Sequence, residues 1–244
     1  MIYRSTRSLA TASPAEAILA GIAPDGGLYL PKEFSFPGFS ARETVKKDFY
    51  GIAVDVLFAL FPSFSREEIT SIVEAAYRGK FETEEIAPTV PVGEDFVLEL
   101  FRGPTCAFKD VALSVLPHLM TASREACGVK DEIVILTATS GDTGKAALKG
   151  FQDVPGTKIL VFYPHGGVSA VQRAQMVTQK GENTFVSAIR GNFDDAQTGV
   201  KRIFSSFAKV SNTFATKFVI FNQNVLVSQD DGFDFIENKV FVFI

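Results

Sequence analysis

The run Ile133-Val134-Ile135-Leu136-Thr137-Ala138-Thr139, closed by Ser140-Gly141-Asp142-Thr143-Gly144 and followed by the helical Lys145 to Phe151, decides the fold class. A nearly continuous apolar run of this length suits a strand buried on both faces. The polar, glycine-bearing loop and the helix after it complete half of an α/β unit. Backbone N–H groups left free at the helix start would make an anion site. The loop matches neither G-x-G-x-x-G nor the Walker pattern, so it carries no known nucleotide fingerprint. Taken alone, it reads as an ordinary βα connection in a nucleotide-binding sheet.

Downstream, the pattern repeats. Lys158 to Tyr163 reads as a strand, Val168 to Gln179 as a helix, Asn183 to Ile189 as a strand and Asp194 to Ala208 as a helix. Strands alternating with helices indicate a parallel, doubly wound sheet. Gly191-Asn192-Phe193 is not a phosphate loop, because the helix after it starts with Asp194 and Asp195, which would repel phosphate.

Upstream lies Phe101-Arg102-Gly103-Pro104-Thr105-Cys106-Ala107-Phe108-Lys109-Asp110. A strand-like run, Asp95 to Phe101, leads into a turn made by Gly103 and Pro104. Lys109 then opens an apolar helical stretch, Val111 to Met120, with Pro117 expected to kink it. The lysine amine is expected at the positive end of a helix, partly desolvated by Phe101 and Phe108. Both influences disfavour the ammonium form, and a neutral amine can attack an aldehyde. The plain alternative is a surface lysine at a helix start.

The amino-terminal part opens with a short strand, Met1 to Ser5. A helix starts near Ser13-Pro14 and is ended by Pro24-Asp25-Gly26-Gly27. Two amphipathic helices follow, one from about Arg42 to Phe61 and one opening at Ser65, where Glu68 completes a capping-box spacing, and ending near Gly79. Their apolar stripes belong to a core. Around Pro88 to Pro91 the chain is expected to cross into a second domain.

Composition narrows the function. The 244-residue chain has a net charge of -4 and no basic tract, which gives nucleic-acid or membrane-surface binding no electrostatic support. No segment has the roughly 18 consecutive apolar residues of a membrane helix. Cys106 and Cys127 lack C-x-x-C spacing, and no secretory signal precedes them, so a reduced, cytoplasmic setting is expected. His118 and His165 have no metal-ligand spacing, and no metal is expected.

Gly103 to Asp110 closely resembles the cofactor-lysine segment of threonine synthases, pyridoxal-phosphate enzymes of the tryptophan-synthase-β fold type (fold type II). Further stretches are similar to the same family: Tyr3 to Arg7, Ala23 to Pro31, Thr139 to Gly144, Tyr163 to Ser169 with Gln175-Met176, and Gly191 to Gln197. Ser8 stands where the family usually has glycine. The resemblance implies an α/β fold: an amino-terminal domain over 1–87, a lysine segment with a small, mobile α/β domain over 88–214, and a tail over 215–244 that departs from the family.

It further implies that Lys109 holds pyridoxal 5'-phosphate, with Phe108 and Asp142 beside the cofactor. Thr139, Ser140, Gly141, Asp142 and Thr143 are implied for the substrate. The implied reaction converts O-phospho-L-homoserine and water to L-threonine and phosphate. The implied partner is that small-molecule substrate; whether the chain is a monomer or a homodimer stays open.

The family's Asn-Ser-Ile-Asn segment and its later glycine-rich phosphate loop are missing from the tail. The tail runs through Phe218 to Asn224 and Gln229-Asp230-Asp231-Gly232 to a bare apolar end, Val240 to Ile244, expected to expose a sticky strand edge. A truncated or frame-shifted reading of a longer protein, and hence a non-catalytic fragment, is therefore one alternative. A related pyridoxal-phosphate lyase such as a threonine dehydratase and a plain nucleotide-binding α/β domain are the others.

Overall fold

A computed structural model describes residues 1–33, 39–210, 218–220 and 239–243. Its described residues fall into two compact units, one built from residues 1–18 and 22–127, the other from residues 19–21 and those after 127. Residues 88–91, where the sequence reading passes between domains, fall inside the first unit.

The first unit begins with β1 (Tyr3–Ser5) and β2 (Thr11–Ala12), continues into α1 (Pro14–Ala20) and returns through β3 (Tyr29–Pro31). The strands form an antiparallel sheet in the order β2-β1-β3. Ser13 and Glu16 cap α1 reciprocally: the Ser13 N–H donates to Glu16 at 2.8 Å and the Glu16 N–H to Ser13 Oγ at 3.3 Å. The helix stops at Gly21, whose φ of 60° no β-carbon opposes. It therefore ends earlier than the Asp25-Gly26-Gly27 turn that the sequence suggested.

The expected helix over 42–61 is two helices, α2 (Ala41–Thr44) and α3 (Phe49–Leu60). Asp48 makes the break. Its side chain accepts from the Gly51 N–H and so starts a new helix where the apolar period alone would continue. α4 (Arg66–Tyr77) opens with the expected capping box of Ser65 and Glu68. Asp55, 8% exposed, receives Thr44 Oγ1 at 2.8 Å, Lys47 Nζ at 2.6 Å and Arg66 Nη1 at 2.8 Å, and so ties these helices together.

β4 (Thr89–Val92) and β5 (Asp95–Leu98) pair as an antiparallel hairpin around Gly93, and α5 (Lys109–Ala126) completes the unit. α5 runs through Pro117 without ending there. Its Val115 and Leu119 join Ile69, Val73 and Tyr77 of α4 in one apolar cluster. Full burial of each such aliphatic side chain contributes about 1.5–3 kcal/mol. The Tyr77 hydroxyl donates to the Val111 carbonyl at 2.8 Å, which fixes α5 against α4 two residues beyond Lys109.

The second unit alternates strands and helices as expected: β6 (Glu132–Ala138), α6 (Asp142–Phe151), β7 (Thr157–Pro164), α7 (Ala170–Val177), β8 (Thr184–Ile189), α8 (Phe193–Val210), β9 (Phe218–Ile220) and β10 (Lys239–Phe243). The strands form one parallel sheet in the order β8-β7-β6-β10-β9. Val134, Leu136 and Ala138 pack with Phe162 and with Ala196 and Val200 of α8 on one face. Gly144 of α6 lies against Val161 on the other. Helices thus cover both faces, which is the doubly wound α/β arrangement.

Over its described residues, 240–243, the tail's apolar run is not an exposed edge. β10 is paired on both sides, with β6 at Val240↔Ile133 and with β9 at Phe241↔Phe218. A strand whose backbone groups are paired on both sides has no open edge. The tail stretches 221–224 and 229–232 lie outside the described residues. Among the described residues, no helix is long and apolar enough to cross a membrane.

Candidate functional site

Lys109 is the first residue of α5, and the turn before it is shaped by Asp110. Asp110 is 2% exposed. Its Oδ2 accepts from the Thr105 N–H at 2.8 Å and, more weakly, from the Ala107 N–H at 3.4 Å, while Oδ1 accepts from Thr105 Oγ1 at 2.6 Å. The carboxylate can approach this closely because Gly103 has no side chain: a β-carbon there would lie 2.5 Å from Asp110 Cβ. Cys106 takes φ 58° at the tip of the turn, and its N–H closes the turn on the Gly103 carbonyl at 3.0 Å. The turn is therefore held from inside by one carboxylate.

The Lys109 side chain is half-buried, and its Nζ sits over the Phe108 ring, 4.6 Å from the centroid. The surroundings differ from the expected desolvated pocket. Phe108 is 60% exposed and Phe101 49%, and the Phe101 ring packs against the Arg102 guanidinium at 5.1 Å. An aromatic face attracts an ammonium through its quadrupole, so the Phe108 contact steadies the charged amine as well as covering it.

In the second unit the loop after β6 lies at the strand where the sheet order reverses, with β7 on one side and β10 on the other. Open α/β sheets bind ligands beyond the carboxyl ends of their strands at such a switch point. Thr139 shapes the loop from beneath. It is 1% exposed, and its Oγ1 accepts the N–H groups of Gly141 and Gly144, both at 2.9 Å. Two amides that a bare helix start would leave for an anion are therefore turned inward. Gly141 caps α6 with φ 137°, and a β-carbon there would meet the Gln172 side chain at 2.4 Å. Gly144 is equally confined, 2.4 Å from Thr139 Cγ2 by the same measure.

Ser140 is exposed at the loop tip, and Thr143 is half-buried one residue into the helix from Asp142. Asp142 is the first residue of α6 rather than part of the loop, where the helix dipole favours its charge. Its Oδ1 accepts from Gln172 Nε2 at 3.0 Å and lies 3.2 Å from Lys145 Nζ. Neither Lys145 nor Gln172 was singled out from the sequence. Both leave a local signal: Lys145 follows Asp142 by three residues, a pairing distance on a helix, and Gln172 follows Ser169 by three, the capping-box spacing. At the start of α8, the Asn192 N–H donates to Asp195 and the Asp195 N–H to Asn192, at 2.8 and 2.9 Å, so Asp195 is a cap.

Comparison with known proteins gives this geometry a context. A family profile described as the threonine synthase N terminus matches residues 2–77. A threonine synthase from Pseudomonas aeruginosa is 41% identical over 211 residues, which is 84% of this chain and 44% of that relative. Among solved structures, a threonine synthase from Brucella melitensis with PLP bound superposes with a TM-score of 0.77 at 38% identity, over 85% of this chain and 45% of that one. The yeast threonine synthase gives 0.75 at 30% identity, over 90% and 52%. The chain thus spans about half the length of the relatives it matches. Over most of its length, in sequence and in α/β fold, the chain is related to the amino-terminal part of threonine synthases.

Proposed function

We propose that this chain carries the lysine segment and the substrate loop of a threonine synthase, in which O-phospho-L-homoserine and water become L-threonine and phosphate with pyridoxal phosphate as cofactor. The observation that supports this most directly is the Lys109 amine at the first residue of α5, on a turn fixed by the buried Asp110 carboxylate. The proposal includes a division into an amino-terminal segment, 1–87, and a catalytic segment, 88–214, and a cytoplasmic location.

Pyridoxal phosphate presents an aldehyde, a ring hydroxyl, a ring nitrogen and a phosphate. The residues present suit the first two. Lys109 is a primary amine able to join the aldehyde, and Asp142 is an acceptor suited to the hydroxyl; Phe108 offers a ring face beside the amine. When bound, the cofactor supplies an electron sink for negative charge that develops next to the substrate amine. Lys109 would move protons at the substrate's α and β carbons. Ser140, Asp142 and Thr143 would orient the substrate on a loop that Thr139 and Gly141 shape. Asp110 would set the direction of Lys109 without reacting.

A second reading is a non-catalytic α/β module, favoured by the two loop amides that Thr139 turns inward rather than toward a ligand anion. No residue of this chain is assigned to the cofactor phosphate. Each charged hydrogen bond to that phosphate is worth on the order of 1.5–3 kcal/mol of affinity. A threonine dehydratase-like lyase is a weaker alternative, because residues 2–77 match the threonine synthase N terminus.

The test is borohydride reduction of the protein with pyridoxal phosphate, followed by peptide mass spectrometry. A pyridoxyl group on Lys109 that disappears in Lys109→Ala is expected. Label on another lysine, or none on any, refutes the assignment. Spectral titration of the 244-residue chain separates the two main readings: tight, stoichiometric binding contradicts the non-catalytic module.

A further inference from the structure

Lys145 is a buried amine for which the proposed function has no use. It lies one turn into α6 and is 8% exposed, yet its Nζ is only 3.2 Å from Asp142 Oδ1. Burying an ammonium is costly unless it is paired with an opposite charge. Asp142 is that partner, although its own side chain is 55% exposed. The ion pair therefore joins a fixed interior cation to a carboxylate that faces solvent.

The same oxygen is held from a second direction. Gln172 Nε2 donates to Asp142 Oδ1 at 3.0 Å. Gln172 is itself anchored in the capping box of α7: its Oε1 accepts the Ser169 N–H at 3.2 Å, and its own N–H donates to Ser169 Oγ at 3.2 Å. The side chain fits there only because Gly141 has no β-carbon. Asp142 Oδ1 is thus gripped by a buried cation on its own helix and by an amide fixed to the next one.

We propose that Lys145 and Gln172 are positioning residues for Asp142: they hold its carboxylate in one orientation, so that it meets a ligand hydroxyl as an already-aimed acceptor. The inference rests on the proposed role of Asp142 at the cofactor hydroxyl. Freezing one side chain in advance of binding spares the ligand that ordering step, worth about three- to tenfold in affinity.

Two measurements test it on the 244-residue chain. The first needs no ligand. Three-bond couplings to Asp142 Cγ report its χ1 population by NMR. One dominant rotamer is expected in the parent chain and in Lys145→Arg, with averaging in Lys145→Met and in Gln172→Ala. A single rotamer that survives both of the last two substitutions, or averaging in the parent chain, overturns the inference. Gln172→Ala keeps the test open should Lys145→Met fail to fold.

The second is spectral titration with pyridoxal phosphate. Lys145→Met is expected to weaken binding about three- to tenfold and to have no further effect in an Asp142→Asn background. An undiminished Lys145→Met effect in that background also overturns the inference. A parent chain that fails to bind pyridoxal phosphate counts against the proposed function, and the rotamer measurement then decides this inference alone.

Discussion

Replacing Asp110 by alanine should unlock the turn that presents Lys109, and the size of the effect follows from the bonds around it. The carboxylate is 2% exposed and receives two short bonds from Thr105, at 2.8 and 2.6 Å, and a longer one from the Ala107 N–H at 3.4 Å. Charge-assisted bonds of this kind are worth about 1.5–3 kcal/mol each, and the donors left behind are buried. Thr105 is itself only 5% exposed. Asp110→Ala should therefore destabilise the first unit by roughly 3–5 kcal/mol.

Asp110→Asn should cost far less, about 0.5–1.5 kcal/mol. Its amide oxygen can still accept the Thr105 and Ala107 N–H groups, while its NH2 donates to the Thr105 hydroxyl, which can turn and accept. The assay is urea unfolding followed by tyrosine fluorescence. The chain has no tryptophan and five tyrosines, of which Tyr3, Tyr29, Tyr50 and Tyr77 lie in the first unit. Equal losses in the two variants, or a loss below about 1 kcal/mol for Asp110→Ala, would refute the claim that acceptor geometry holds this turn.

Other perturbations probe other joints of the structure. Thr139→Val keeps the shape of Thr139 but leaves the N–H groups of Gly141 and Gly144 without their acceptor; a loss of about 1–3 kcal/mol and faster amide exchange at both glycines are expected by NMR. Ser65→Ala removes one half of the capping box on α4 and should cost about 1 kcal/mol in thermal unfolding.

Asp55 is held well below the usual carboxylate range by its bonds to Lys47 and then Arg66. The stability it contributes is accordingly full above the unfolded-state value of about 4 and is lost as pH falls further. Asp55→Asn should lower stability at neutral pH and flatten the acid limb of a pH–stability curve. An acid limb unchanged from the parent chain would contradict this.

Local chemistry was legible wherever a motif needs only its near neighbours. The apolar run 133–139, the capping box at Ser65 and Glu68, and the βα alternation after residue 130 all became the elements expected of them, because hydrophobic period and cap geometry act within a turn or two. Where two local signals compete, the pattern misleads. The apolar stripe over 42–61 suggests one helix, but Asp48 captures the Gly51 N–H and starts another.

The amino acids alone placed Lys109 at a helix start and put the glycine-bearing loop directly after a buried strand. Packing decided what surrounds them. Asp110 turns inward to hold the loop before Lys109, Phe101 is taken by Arg102, and Thr139 draws two loop amides inward. Gln172, 30 residues on, closes over Asp142, and β10 enters the sheet beside β6. Long-range closeness decides the last two of these contacts: Gln172 and β10 find their partners only after strands distant in sequence have aligned, and no periodicity along the chain records which partner that will be.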